Sequence, residues 1–167
     1  MAIFDSLTEF ADASTDVQAA AGTVNVGSTI DLGATSPGDI ARGRPLYLVI
    51  STAVEIITGG AAGTLAFQLV SDSGSTPSTD GTQTIHFISD TFVTDGTDAN
   101  DAFLKAGKYP VVVALPLQGK AYERYLGVQA VIGTTTITAG AVDAYLTFDP
   151  PRGDAGAAIE SYADATN

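Results

Sequence analysis

The stretch that decides the fold of this sequence reads Arg124-Tyr125-Leu126-Gly127-Val128-Gln129-Ala130-Val131-Ile132. Successive side chains of an extended chain point to opposite faces, so one face collects every second residue, namely Leu126, Val128, Ala130 and Ile132. This alternation predicts a half-buried β-strand. Its register is well specified, because a slip by one residue would turn the whole apolar set to water.

The same alternation recurs along the chain, with decreasing clarity, in Val142–Phe148, Pro45–Ile50, Leu65–Leu69, Thr84–Phe87 and Thr29–Leu32. In the clearest of these runs, the residues expected to face inward are Val142, Ala144, Leu146 and Phe148. Another run, Val111–Leu115, is apolar on both faces. That pattern is typical of a central strand or of a strand covered by an interface.

The runs are separated by stretches rich in Gly, Ser, Thr and Asp at 59–63, 71–77, 94–98 and 133–140. Gly permits positive φ, and Asp or Ser closes a turn through its side chain. Strands spaced in this way, without helical patterns between them, predict an all-β protein: an antiparallel β-sandwich of the jelly-roll or Greek-key kind. The length of 167 residues suits one such domain.

The two ends do not fit the strand pattern. Ser6-Leu7-Thr8-Glu9 has the form of a capping box, which is compatible with one or two helical turns. We therefore expect an N-terminal arm at residues 1–22 and the sandwich at 23–150. The arm's apolar residues either dock on a neighbouring subunit or pack on their own sandwich; they are Phe4, Leu7 and Phe10. Residues 151–167 are expected to form an acidic tail that is mobile or ordered by a partner.

Charge and composition exclude several classes of protein. The formal net charge is -12, from seven Lys and Arg against nineteen Asp and Glu, which argues against binding to nucleic acid. The N-terminus lacks a basic segment, and no apolar run is long enough to cross a bilayer, so we expect neither a secretory signal nor a membrane span. We expect a soluble protein made in a cytoplasm.

The sequence offers little reactive chemistry. The single histidine, His86, alternates with Ile85 and Phe87, so we expect it on the opposite face of its strand, as a plain surface or interface residue. Asp95, Asp98 and Asp101 could hold Ca²⁺ loosely, but they lack the EF-hand glycine and terminal glutamate, so a solvated turn is favoured. The many carboxylates show no pair with opposed environments, as a glycoside hydrolase would need. We expect no catalytic residue, no metal ligand and no cofactor.

Two pairs of motifs follow one another in a recognisable order. Ile30-Asp31-Leu32-Gly33-Ala34 is followed by Gly43-Arg44-Pro45-Leu46-Tyr47-Leu48-Val49, and Glu123-Arg124-Tyr125-Leu126-Gly127-Val128 by Thr138-Ala139-Gly140-Ala141-Val142. Together they resemble the capsid cement proteins of short-tailed bacteriophages of the Bordetella-phage type. The resemblance runs from about Ile30 to Asp149 and rests on the order and spacing of the motifs, since each alone is ordinary strand and turn sequence.

The resemblance implies a jelly-roll decoration protein and not an enzyme. Such a protein self-associates, as a homodimer or homotrimer, on the outside of an icosahedral shell and clamps neighbouring copies of the major capsid protein. It would be made in the host cytoplasm and reside on the outer capsid surface of the virion. The positions carried over by the resemblance are structural: Asp31, Gly33, Pro45, Tyr47, Arg124 and Tyr125. The chain departs from the family in its long polar stretches at 71–84 and 90–101 and in its acidic tail.

Arg124 and Tyr125 are predicted to lie near an interface, because an arginine fork binds carboxylates and a tyrosine buries apolar area while keeping a polar tip. The alternative is that Arg124 pairs with an acid on its own surface. Val112, in the doubly apolar run, is predicted to be partly buried by another subunit. Deleting residues 1–12 is predicted to spare the fold and weaken capsid binding.

A carbohydrate-binding jelly-roll module is the main alternative function. It would use tyrosines as exposed platforms, and the candidates are Tyr122, Tyr125 and Tyr145. Sugar platforms favour tryptophan, however, and the chain has none.

Overall fold

A computed structural model describes residues 7–33, 40, 43–94, 102–117 and 119–151. Apart from a short 3-10 helix at Ala102–Leu104, the regular elements of this part of the chain are β-strands, which confirms the predicted all-β class. The strands are β1 (Glu9–Asp16), β2 (Gly22–Asp31), β3 (Tyr47–Thr58), β4 (Gly63–Asp72), β5 (Thr84–Ile88), β6 (Phe92–Thr94), β7 (Val111–Ala114), β8 (Tyr125–Gly133) and β9 (Ile137–Thr147).

The strands form two antiparallel sheets that pack face to face. The first sheet has the order β1-β9-β3-β7, and the second has the order β2-β8-β4-β5, with β6 also paired to β4. β5 and β6 bind opposite halves of β4, so they act as one interrupted strand. The pairs β1 with β9, β2 with β8, β3 with β7 and β4 with β5 are therefore nested, like one long hairpin rolled up. That nesting is the jelly-roll arrangement.

The core lies between the sheets and contains the predicted alternating set. Leu126, Val128, Ala130 and Ile132 of β8 are all buried in it. Strand β3 of the other sheet adds the fully buried Leu48 and Ile50, and β4, the neighbour of β8 in the same sheet, adds Leu65, Phe67 and Leu69. The register that the apolar pattern specified is thus the register that the sheets adopt.

The N-terminal prediction is wrong for the described residues. Glu9–Asp16 is strand β1, paired with β9, rather than a helical turn in an arm. Phe10 is 2% exposed and belongs to the core, so of the two alternatives given for it, the one that holds is packing on its own sandwich. The sandwich therefore begins at Glu9 and not at residue 23. A short helix gains less than an edge strand that buries Phe10 and completes a sheet.

One predicted strand and one predicted core residue lie differently from expectation. β7 is not central: it pairs with β3 alone and forms the edge of its sheet. Phe148 does not face inward but is 53% exposed. β9 ends at Thr147, whose hydroxyl accepts a hydrogen bond from the Asp149 N–H, and the turn ends the alternation before Phe148.

Residues 73–83, which we call the covering loop, fold over the outer face of the second sheet. Asp72 fixes the start of the loop by accepting the Gly74 and Ser78 N–H groups at 3.0 and 2.9 Å, and these bonds lower the pKa of its carboxyl. The side chain of Pro77 lies so close to Gly127 that an added Cβ there would stand 2.9 Å from the proline Cγ. The polar stretch at 71–84 thus covers one face of the molecule.

A buried amide network holds the covering loop to the sheet. Gln129, fully buried on β8, donates to the Ser78 carbonyl and to Asn25 Oδ1, both at 2.8 Å. Its own carbonyl oxygen accepts from Gln68 and Gln83 at 2.7 and 3.2 Å. Since both its donors and its acceptor are satisfied, the glutamine is held under the loop without an unpaired polar atom.

Candidate interaction surface

Several exposed groups gather where β2 and β9 end and β3 and β8 begin. We call this region the terminal end, and define it by Leu7, Asp31, Arg44, Arg124 and Phe148. Its parts are brought together by strand pairing: β2 meets β8 at Asp31 and Tyr125, and β3 meets β9 at Tyr47 and Thr147. Leu7 and Asp31 line the same cleft between β1 and β2, of about 500 Å³.

Arg124 and Asp31, residues from the two separate motifs, form a forked ion pair. The guanidinium donates from Nε to Oδ1 at 3.0 Å and from Nη2 to Oδ2 at 2.8 Å. This pair, with the Gly33 N–H that also binds Oδ1, lowers the pKa of Asp31 to about 2. Arg124 therefore satisfies the alternative prediction of an acid on its own surface, and both side chains remain close to half exposed.

Tyr125 lies under the same guanidinium. The Arg124 Cζ is 4.9 Å from the centre of the Tyr125 ring, and the tyrosine is half-buried. An arginine fixed on one side by a carboxylate and on the other by an aromatic ring is more rigid than a free surface arginine. The interface role predicted for the two residues stays a prediction.

A second arginine–aromatic pair lies at the terminal end, and the sequence did not single it out. The Arg44 Cζ is 5.0 Å from the centre of the Phe148 ring, and both residues are exposed. Arg44 precedes β3, whereas Phe148 follows β9, so the neighbouring position of these two strands brings the residues together. Leu7 and Leu117, also exposed, add apolar surface before β1 and after β7.

The other predicted interface residues are dispersed. Leu7 is 76% exposed, Phe10 is in the core, and Phe4 lies outside the described residues, so no three-residue apolar arm is formed by them. Val112 is 38% exposed on the edge strand β7. Its burial by another subunit stays a prediction.

Val112 borders a groove on the open side of the sandwich, between the edge strands β5 and β7. The groove has a volume of about 320 Å³ and is lined mainly by apolar residues, among them Phe87, Ile88, Phe92, Val111 and Val112. Ile88 and Val93 are also exposed beside it. This open side, unlike the face under the covering loop, leaves apolar side chains in contact with water.

His86 has partners that its sequence position did not indicate. The β4–β5 register shifts between Leu69 and Val70, and this bulge breaks the alternation on which the outward placement was based. The half-buried ring of His86 forms a 2.7 Å hydrogen bond with the Ser71 hydroxyl and stacks on Tyr122 with centroids 3.9 Å apart. Burial lowers the pKa of His86.

The Ser71–His86 pair joins a serine to a potential base, but the serine is enclosed. Ser71 is fully buried, and its oxygen accepts the Glu123 N–H at 2.9 Å. The Ser71 hydroxyl can donate its proton to the His86 Nε2 when the ring proton is on Nδ1, and it can accept from Nε2 in the other tautomer. A nucleophile needs access to its substrate, which this hydroxyl does not have in the described conformation.

The tyrosines of the carbohydrate hypothesis do not form an exposed platform. Tyr122 is 8% exposed and donates its hydroxyl to the Pro116 carbonyl, and Tyr145 is 7% exposed. Burial raises the pKa of Tyr122 to about 12. Tyr125 is half-buried under Arg124. The expectation that all three are exposed is wrong.

The described part of the chain lacks a metal-binding cluster and a membrane-spanning helix. Among those residues, no three His, Cys, Asp or Glu side chains are grouped as a metal ion requires. They also contain no helix that is long and apolar enough to cross a membrane. The candidate cation turn at Asp95, Asp98 and Asp101, and the tail after Pro151, lie outside the described residues.

Comparison with known proteins gives one family. A family model described as Bbp16 matches residues 10–146, which span the sandwich from β1 to β9. No curated protein matches the chain. The match covers both motif pairs that carried the resemblance and supports a phage-associated family.

Proposed function

The chain belongs to the Bbp16 family, and from this membership we propose that it is a capsid cement protein. It oligomerises on the outer surface of a tailed-phage capsid and stabilises contacts between major capsid protein subunits. One observation carries the proposal beyond the family: arginine and apolar side chains are exposed at the terminal end and apolar side chains on the open side, whereas the chain's own loop covers the outer face of the second sheet.

The physical basis is repetition on a lattice. A capsid presents the same binding site many times, and joining several weak contacts makes the later ones effectively intramolecular. An oligomer, whether homodimer or homotrimer, therefore binds far more firmly than one subunit. Aromatic residues and arginine are enriched at the centres of protein interfaces, and both types are exposed at the terminal end.

The proposal also fixes the surroundings of the chain. The protein would be synthesised in the host cytoplasm and would reside on the virion surface, with the major capsid protein and its own copies as partners. It would carry out no catalysis and need no cofactor. A net charge of -12 would keep it off the packaged nucleic acid, because binding to phosphate gains from lysine and arginine.

Binding to capsids tests the proposal. Capsids from a phage lacking the gene are mixed with the purified chain and sedimented, and the heat resistance of the particles is measured. We expect saturable binding at a fixed number of sites and a higher disruption temperature. Absence of binding, or binding without any gain in heat resistance, would contradict a cement role.

A further inference from the structure

Arg44 and Phe148 form an exposed pair with unused binding capacity. The guanidinium lies over the phenyl ring at 5.0 Å, and the ring keeps 53% of its surface exposed. An arginine in this position is held by the ring quadrupole, which restrains the side chain without using its N–H donors in a hydrogen bond.

The charge of Arg44 is not neutralised within the described residues. No hydrogen bond or ion pair connects it to a carboxylate there, whereas Arg124, the comparable arginine at the same end, is forked onto Asp31. The contrast is informative because acids outnumber Lys and Arg by nineteen to seven. Among the described residues, Arg44 thus has no carboxylate partner, although the chain has an excess of carboxylates.

Two further arginines are close to this pair in the sequence. Arg42 precedes Arg44 by two positions, and Arg152 follows Phe148 by four; both lie outside the described residues. Three of the chain's four arginines therefore fall in two short segments of the sequence, one before β3 and one after β9. These two strands are neighbours in the first sheet. Asp39, Asp149 and Asp154 lie in or beside the same segments and balance these charges, so the expectation of a partner with negative charge rests on Arg44 itself, which has no carboxylate partner among the described residues.

We infer that the Arg44–Phe148 pair is a docking site for a carboxylate flanked by apolar surface on the major capsid protein. The guanidinium would fork onto the carboxylate, and the exposed phenyl ring would cover the neighbouring apolar side chain. This inference rests on the proposed function and adds to it the contact that holds the chain to the shell.

Variants of the two residues test the inference on capsids that lack the chain. Arg44→Ala should weaken binding about tenfold or more, because it removes a charged hydrogen-bonded contact. Phe148→Ala should weaken it as well, and Arg44→Lys should not restore the wild-type affinity, since lysine has no fork. Capsids whose carboxylates have been converted to amides with a carbodiimide and an amine should bind the wild-type chain poorly.

Lys120→Ala is the matched control, because Lys120 is an exposed cation with no ion pair among the described residues. It removes the same charge and should change binding less than about twofold. Thermal melting of each variant checks that it is folded, which we expect because the substituted positions are exposed. If the wild type binds and Arg44→Ala binds equally well, the docking site is wrong and the cement role stands. If the wild type does not bind, both are wrong.

Discussion

At the residue scale, the two arginines of the terminal end differ in what they can offer a partner. Arg124 is already bound to Asp31 through two hydrogen bonds, so a partner meets a neutral pair stacked on Tyr125. Arg44, which has no carboxylate partner among the described residues, would meet a partner as a cation. Sequence alone identified Arg124 by its motif and could not identify Arg44, because the ring beside it comes from a distant segment.

Arg124→Ala and Asp31→Asn separate an interface role from a local pair. Both variants break the forked pair, but Asp31→Asn leaves the arginine free to bind a partner. If Arg124 lies at an interface, Arg124→Ala should reduce shell occupancy or oligomer size, and Asp31→Asn should not. Both are measured by sedimentation. Unchanged occupancy and unchanged oligomer size for Arg124→Ala would remove the interface prediction.

His86 makes stability depend on pH. Burial lowers its pKa below the ordinary 6.5, an effect that nearby Lys120 strengthens and Glu123 opposes. The unfolded chain therefore binds a proton more readily than the folded chain, so stability is lost as the pH falls from about 6.5 through the lower folded value. Protonation would make both ring nitrogens donors, so that Ser71 could then only accept from Nε2.

Melting curves between pH 7.5 and 4.5 on a roughly half-unit grid measure this dependence. The melting temperature of the wild type should fall over the acidic part of that range, and His86→Gln should fall less. The Asp31–Arg124 pair affects stability at more acidic pH, because the pKa of Asp31 is lowered from 3.8 to about 2 in the folded chain and the stabilisation is lost as the pH falls between these two values. Parallel curves for the two proteins would show that His86 does not contribute.

At the element scale, sequence identified the strands that alternate and missed those that do not. β8 carries a long apolar alternation and was located within one residue at each end, whereas β9 begins at Ile137, five residues before its predicted run and within the predicted turn at 133–140. β1 buries the adjacent residues Phe10 and Ala11, and its other residues, polar apart from Ala13, are exposed or partly exposed, so it shows no period of two. Its strand conformation comes from pairing with β9 rather than from its own pattern. The same limit applies to His86, because a bulge cannot be read from alternation.

Phe10→Ala tests the placement of β1. Truncating a buried phenylalanine costs about 3–5 kcal/mol, so the variant should be strongly destabilised in urea. Phe148→Ala, which truncates an exposed ring, is the control and should change stability little. Deletion of residues 1–12 removes Phe10 and part of β1, so we now expect it to yield unfolded protein, whereas deletion of 1–6 should not. Soluble, folded protein from the longer deletion would place β1 outside the core.

Gly127→Ala tests the covering loop. The added Cβ would stand 2.9 Å from Pro77 Cγ, so the loop must shift outward. We expect faster proteolytic cleavage within residues 73–83 and faster amide exchange at Ser78. Gly74→Ala is the control within the loop, because its Cβ would meet neighbours no closer than 3.7 Å. Equal cleavage of both variants would show that the loop is not held against β8.

At the scale of the whole molecule, the covered and the exposed parts of the described surface lie in different regions. The outer face of one sheet is closed by the covering loop, with Gln129 beneath it. The terminal end and the open side expose arginine, phenylalanine, valine and isoleucine. The alternating pattern predicted the sandwich and the composition its acidic charge, but neither predicted this distribution of covered and exposed surface, which depends on where loops and strand ends come together.

Cryo-electron microscopy of the phage particle would show directly whether the chain lies on the outer capsid surface. The cement proposal predicts density for a jelly-roll sandwich on the outer shell, repeated with the capsid symmetry and touching more than one major capsid subunit. The terminal end should face those subunits, with Arg44 next to a carboxylate. Particles that contain the chain but show it inside the shell, or on the tail, would contradict the account.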